Sequence, residues 1–227
     1  MDKLALLISI FAFSTVWFLI IVYFYPISYD NVLTITSLVI IGGILSIYIV
    51  GYTNNWIDDY IDPSGRADLY NKPIVAYFRY FFSAMNEEFW KLVACLLFTY
   101  KKRIKKPIDG IVFGMMVGLG FSVYENIYYV KSFPEIFLFR VFICTAGHIC
   151  YSGIWGHGLA KAKFKNNNCS FLLEFSPYFL LGVSFHFIYN YFLGAYSNIF
   201  FYFVVIMQVV LLIFCFRLLR RLSVTTA

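Results

Sequence analysis

The chain has 227 residues, of which 61% are apolar, 22% aromatic and only 13% charged, with a formal net charge of +6. That balance excludes a water-soluble globular domain and matches a polytopic membrane protein. The positive charge is no nucleic-acid signal, because the basic residues stand in short runs between apolar stretches rather than on a folded basic face.

Apolar runs of about 20 residues, the length that crosses about 30 Å of hydrocarbon, predict an all-α fold. It is a polytopic helical bundle of about seven transmembrane helices, one membrane-embedded domain over residues 1–227. The first two runs are 4–25 and 32–52. The first is too long for a secretory h-region and no small-residue cleavage site follows it, so it is expected to remain as an anchor. After the second comes "NNWIDDYIDPSGRADLYNK", Asn54 to Lys72, expected outside the membrane, and the Asp, Pro and Gly content around Asp58 to Asn71 reads as turns. Residues 1–77 are therefore two spans and an Asp-rich loop, and the motif-bearing core runs from 78 to 193.

The third span, 78–100, is interrupted by "NEEFWK". A charge near the bilayer centre costs roughly 2.5–3.5 kcal/mol on insertion scales, so this cluster marks a site rather than filler. Glu87 stands four residues and Glu88 three before Lys91, so one carboxylate can pair with the ammonium while the other is left over. The fourth span, 108–130, carries "FSVYEN" with Glu125 four after Phe121, and Gly110, Gly114 and Gly118 at four-residue steps. A lone intramembrane Glu is a functional signal, whereas the glycine ridge reads as helix packing. In the fifth span, 136–160, "GHICYSGIWGHG" places His148 four before Ser152, and His157 falls near the span end as an interfacial residue. The sixth, 171–193, contains "HFIYN", which sets His186 and Asn190 on one face. The seventh, 197–218, carries no diagnostic residue.

The basic runs "KKRIKKP", "KAKFK" and "RLLRR" follow the third, fifth and seventh spans. The positive-inside rule places all three, and with them the C-terminus, in the cytoplasm, as in a multi-pass protein of the cell membrane. Cys95, Cys144, Cys150, Cys169 and Cys215 show no CxxC spacing and read as small hydrophobes. Counted at about 1.5 Å per residue, Glu87, Glu88, Glu125, His148 and His186 fall between mid-membrane and the outer half. Carboxylates and imidazoles gathered at one depth suit general acid and base chemistry or a divalent metal.

In that order, "EEFWK", "DGIVFGMMVGLGFSVYEN", "GHICYSGIWGHGLA" and "HFIYN" resemble the PrsW family of intramembrane proteases. That family is a branch of the group that includes the CAAX prenyl proteases and bacteriocin-processing enzymes. The CAAX branch is described by EExxxR with a Phe-to-His motif. Here Lys91 stands three after Glu88, and Glu125 stands where that His would be, which favours the PrsW branch. The resemblance implies hydrolysis of peptide bonds in membrane-embedded or membrane-anchored protein substrates, single-pass anti-sigma factors among them.

On that reading Glu125, His148 and His186 are candidate ligands of a divalent metal, zinc, since two His and one carboxylate with an open position form a catalytic set. Glu87 is the general base, Glu88 pairs with Lys91, and Asn190 and Ser152 orient the imidazoles. A metal-free alternative has Glu87 or Glu88 activating water while the histidines stabilise the oxyanion. From another class, a proton- or ion-coupled transporter uses similar Glu and His chains, but broken midplane helices and a repeat are not evident in the sequence. An inert scaffold would have lost the charged set that this chain retains.

Overall fold

The computed structural model describes residues 3–25, 28–61, 73–99, 103–165, 170–194 and 198–226, and all regular structure among them is helical. Six helices are long and apolar enough to cross a membrane. A further one, α4 (Pro73–Thr99), has 27 residues, length enough to span, but contains Arg79, Glu87, Glu88 and Lys91. The protein is a multi-pass helical membrane bundle.

Helix α1 (Lys3–Tyr23) is followed by α2 (Tyr29–Leu45), whose first turn is capped by the Ser28 side chain accepting from the Asn31 N–H. A π turn (Ser46–Val50) then leads without a break into α3 (Gly51–Ile61). The second span is accordingly a 32-residue helix, Asp30–Ile61, longer than the apolar run suggests. This corrects the reading of residues 58–61 as turns. The polar side chains of α3 do not bend the chain but pin it sideways to α4. Arg79 donates to both Asp58 carboxylate oxygens at 2.7 and 3.0 Å, and the Asn86 amide donates to Thr53 Oγ1 and Asn54 Oδ1 at 2.6 and 2.8 Å. The rest of the Asp-rich connection, 62–72, lies outside the described residues.

The centre is the pair α5 (Pro107–Ser132) and α7 (Thr145–Phe164), joined through a 3₁₀ turn (Pro134–Ile136), a short α6 (Phe137–Phe139) and a second π turn (Arg140–Cys144). The glycine ridge makes this crossing. A Cβ on Gly110, Gly114 or Gly118 would run into the backbone carbonyls of Gly156, Ser152 and His148, so only glycine allows this approach. The residues behind this seam, among them Phe113, Met115, Ile149 and Trp155, are wholly buried. Helix α8 (Phe171–Gly194) covers α7 and α4, and α9 (Asn198–Thr226) packs on α7 from the other side. Pro177 lies within α8 rather than at its end.

Gly114→Val should force α5 away from α7 and lower the thermal unfolding midpoint in mild detergent, with an overpacking cost of at least about 1–3 kcal/mol. Gly51→Ala is the control. A Cβ there meets nothing within 4 Å, and the midpoint should hold or rise slightly.

The described parts of the three basic segments gather at one end of the bundle. Lys163 Nζ donates to the Ile104 carbonyl at 2.9 Å, Tyr25 after α1 donates to Asp109 in the first turn of α5, and the Phe24 ring lies tilted against Phe216 of α9 at 5.9 Å. Asp109 is the hub of that end. Its carboxylate accepts the Lys105 and Lys106 backbone N–H groups at 2.6 and 2.8 Å and the Tyr25 hydroxyl at 2.8 Å. Burial and the neighbouring Asp109 charge push the Tyr25 phenol well above its ordinary value, which keeps it a donor. Asp109→Ala removes the acceptor of a helix N-terminus, and a loss of about 1–2 kcal/mol is expected in the same unfolding assay.

Candidate active site

Each of α4, α5, α7 and α8 presents one polar face, and the four faces meet. Glu88 of α4 is fully buried, and each of its two carboxylate oxygens accepts two hydrogen bonds. Its Oε1 accepts from Lys91 Nζ at 2.7 Å and His186 Nδ1 at 2.9 Å, and its Oε2 from Ser152 Oγ at 3.1 Å and Trp155 Nε1 at 2.9 Å. One carboxylate therefore ties α4 to both α7 and α8. Lys91, also fully buried, spans Glu88 and His148 Nδ1 (3.0 Å), and its ammonium sits 4.1 Å from the centre of the Phe121 ring.

Glu125 of α5 accepts His148 Nε2–H at 2.8 Å and Arg140 Nη2–H at 2.5 Å, both on Oε2. Among the described residues its Oε1 accepts no hydrogen bond. With a side chain 21% exposed, it is the carboxylate of the cluster most open to the outside, against 8% for Glu87 and 0% for Glu88. Arg140 further donates through Nε to Asn126 Oδ1 at 3.0 Å and lies over the Tyr129 ring at 4.4 Å.

The hydrogen-bond partners assign both tautomers, because an ammonium only donates and a carboxylate only accepts. His148 carries its proton on Nε2, facing Glu125, and His186 on Nδ1, facing Glu88. His186 Nε2 is then left with a lone pair, and it looks at Glu87 Oε2 across 3.5 Å. That oxygen is buried and without a hydrogen-bond partner among the described residues, while Glu87 Oε1 accepts from Ser83 at 3.2 Å. Two acceptors facing each other in a dry interior call for a proton or a cation between them.

The charge count agrees: Glu87, Glu88 and Glu125 against Lys91 and Arg140 leave one negative charge in excess. One ligand atom from each of Glu87, His148 and His186 lies within 4.8 Å of the others, so this all-buried trio could hold a metal ion. The donor set fits a divalent cation at two positions outright. At the third, His148 would exchange its Lys91 contact for the ion.

The family model of the PrsW family intramembrane metalloproteases matches residues 31–215. The chain belongs to that family. The matched stretch holds every member of the cluster from Glu87 to His186. Among curated proteins the chain is similar to Protease PrsW of Shouchella clausii, 27% identical over 139 residues that make up 60% of this chain and 64% of the relative. It is also similar to Protease PrsW of Geobacillus kaustophilus, 36% identical over 109 residues, 44% and 47% of the two chains. The alignments thus span about half to two thirds of the length of these PrsW relatives. No solved structure matches the chain.

Of the residues singled out from sequence, Glu87, Glu88, Lys91, Glu125, His148 and His186 come together in this PrsW-family bundle. Ser152 is there too, but it serves Glu88 rather than an imidazole. Asn190 is half-buried one turn beyond His186 and makes no hydrogen bond among the described residues, while its neighbour Tyr189 is buried against Cys144. His157 lies apart, its ring against Tyr178. Cys95, Cys144, Cys150 and Cys215 are buried free thiols, and Cys169 lies outside the described residues.

Four contributors escaped the sequence reading. Trp155 and Ser83 resemble ordinary core and helix residues, and Asn126 was read only as the neighbour of Glu125. Arg140 stands four residues inside the expected fifth span, where the rule applied to the Glu residues would have flagged it.

Proposed function

We propose that the chain is an intramembrane endopeptidase that hydrolyses peptide bonds of membrane-embedded or membrane-anchored proteins. The observation that carries this reading is the open pair of Glu87 Oε2 and His186 Nε2, left over in a cluster whose other inward-facing groups are bonded. A proton shared across that pair would neutralise the excess charge at rest, and a buried site that can take up and release such a proton is what a hydrolytic reaction, which must deprotonate water, requires.

Glu87, His148 and His186 are the residues that would hold a divalent metal, and zinc suits their nitrogen and oxygen donors. Bound there, the ion would supply Lewis-acid polarisation and make water acidic enough to lose a proton near neutrality. The chain's own residues do the rest. Glu88 holds the His186 ring with its Nε2 lone pair inward, and Glu125 does the same for His148 through Nε2–H. Oε1 of Glu125, partly exposed and free of other partners, is the base that takes the proton of the attacking water and returns it to the leaving amine. Lys91 balances Glu88 and keeps the charge of the cluster near neutral. Relative to the expectation from spacing, Glu87 and Glu125 exchange the roles of ligand and base.

The substrate class that agrees with family membership is a single-pass membrane protein, an anti-sigma factor being one example. The enclosing membrane is taken to be the cell membrane, with the basic end of the bundle in the cytoplasm.

The test compares newly formed N-termini in host membranes that contain the wild type or the His148→Ala/His186→Ala variant, alongside metal analysis of both purified proteins. About one zinc per chain and new termini in or beside membrane spans, both lost in the variant, are expected. Identical termini with a well-expressed wild type would overturn the protease reading. Termini without stoichiometric metal would leave proteolysis standing and move the base to Glu87.

A further inference from the structure

The second π turn, Arg140–Cys144, gives the clearest opening beyond that reading. In a π turn the backbone bonds reach one residue further than in an α-helix, so residues five apart share a face. Here that brings the side chains of Arg140 and Thr145 together against Asn126. The Thr145 N–H and hydroxyl both donate to the Arg140 carbonyl, the hydroxyl at 3.1 Å. Thr145 Oγ1 accepts from Asn126 Nδ2 at 2.9 Å, and Asn126 Oδ1 accepts from Arg140 Nε at 3.0 Å. The bonds close a ring from Arg140 to Asn126 to Thr145 and back to Arg140. All three residues are buried.

The ring leaves the guanidinium with its Nη2 aimed at Glu125, and Tyr129 covers its face at 4.4 Å. A buried Arg held at Nε by Asn126 and covered by the Tyr129 ring cannot readily follow a carboxylate that moves; the carboxylate must come to its Nη2. Arg140 engages Oε2 of Glu125, the same oxygen that takes His148 Nε2–H. Glu125 is thereby fixed in the rotamer that turns Oε2 to His148 and leaves Oε1 free. Without the guanidinium, the like charges of Glu87 and Glu88 would favour swinging the Glu125 carboxylate out toward its exposed side.

We propose that Arg140 is a positioning residue: by fixing Glu125, which accepts His148 Nε2–H, it fixes the plane of the His148 ring and so aims Nδ1 into the site. Its catalytic consequence rests on the protease reading, but its structural content does not. The Nε2–H tautomer is the same whether Nδ1 faces the Lys91 ammonium or a metal, so what Arg140 adds through Glu125 is the strength of the Nε2–H hydrogen bond and the orientation of the ring.

The chain has only three histidines, so selective nitrogen-15 labelling of the full-length protein in detergent gives a spectrum of three imidazoles. Wild type should show single tautomers for His148 (Nε2–H) and His186 (Nδ1–H). In Arg140→Ala the tautomer should persist, but the His148 Nε2–H proton, held in wild type by the Glu125 carboxylate, should shift upfield and exchange faster with water while the His186 and His157 signals hold. Glu125→Ala, which removes the acceptor, should produce the same change. The double variant should be no worse than Glu125→Ala alone, since the Arg acts through the Glu. Arg140→Lys, which keeps the charge, should restore most of the His148 signal.

If Arg140→Ala does not accumulate, Thr145→Val opens the ring without removing a charge and should shift the His148 Nε2–H signal in the same direction by itself. A folded Arg140→Ala with His148 unmoved would overturn the proposal, as would all three imidazoles shifting together or additive effects in the double variant. Where proteolysis can be followed, the carboxylate–histidine connection predicts a fall of about 10–100-fold in kcat, with KM little changed. Absence of any proteolysis by wild type, with the imidazole results as expected, would fault the enzyme reading and leave this one intact.

Discussion

Glu88→Gln is expected to unfold or grossly destabilise the protein, more than any other single isosteric change in the bundle. The carboxylate accepts four hydrogen bonds, two on each oxygen, and every partner is a donor. A glutamine amide must place its NH₂ on one side. Turned toward Lys91 and His186 it opposes an ammonium and an N–H, and turned toward Ser152 and Trp155 it opposes an indole N–H. Neither orientation is satisfied. The substitution also strips Lys91 of its counter-charge at a fully buried position. Removing one partner of a buried pair typically costs about 3–5 kcal/mol, because the other charge remains desolvated.

The measurement is the thermal unfolding midpoint of purified protein, with Glu88→Gln/Lys91→Met beside the single variant. The double variant removes both charges and should recover part of the loss. A Glu88→Gln protein as stable as wild type would show that the four-donor arrangement around this oxygen pair does not hold α4 to α7 and α8. It would also remove the reason for assigning His186 its Nδ1–H tautomer.

Much of this architecture is legible in the chain because the membrane makes polar residues conspicuous. Glu87, Glu88 and Lys91 stand out in α4, and Glu125 in α5, for a reason that needs no structure: hydrocarbon rejects them. The glycine ridge of α5 is visible by the same logic, since a stripe of small residues at four-residue steps has little use other than close approach.

What stayed hidden depends on contacts between helices. Residues 58–61 open the Asp-rich stretch whose composition says turn, yet α3 is helical through Ile61 because Asp58, Thr53 and Asn54 find partners on α4. Spacing along one helix reports which face a residue occupies, not which oxygen meets which nitrogen on a neighbour. That is why spacing could group Glu87 and Glu125 with the histidines but could not say which of the two carboxylates lies within reach of both rings at once. The π turns have no composition signature at all, and the one at Arg140 decides where a buried guanidinium points. Trp155 reads as a core aromatic until its indole N–H is seen donating to Glu88.

The second large effect separates function from fold at Glu87, the residue next to Glu88 in sequence and opposite to it in consequence. Glu87 Oε2 has no hydrogen-bond partner among the described residues, and its only bonded oxygen receives a single Ser83 hydroxyl. Glu87→Gln therefore removes an unmatched buried charge and can turn its NH₂ toward the His186 Nε2 lone pair. A donor then faces an acceptor where two acceptors stood.

Stability should hold or rise by about 1 kcal/mol, while cleavage of membrane substrates falls by about 10²–10⁴-fold, the range for losing a group that activates or holds water. Bound metal should fall with it, since an amide is a far weaker ligand for a divalent ion than a carboxylate. The decisive comparison is unfolding midpoint, metal content and newly formed N-termini on one preparation of each protein. A variant with unchanged or higher midpoint and neither metal nor cleavage would identify Glu87 as strain retained for chemistry, in line with the stability cost that working sites carry. A variant that lost stability along with activity would instead make Glu87 one more structural carboxylate, and the open pair with His186 would no longer mark the reaction centre.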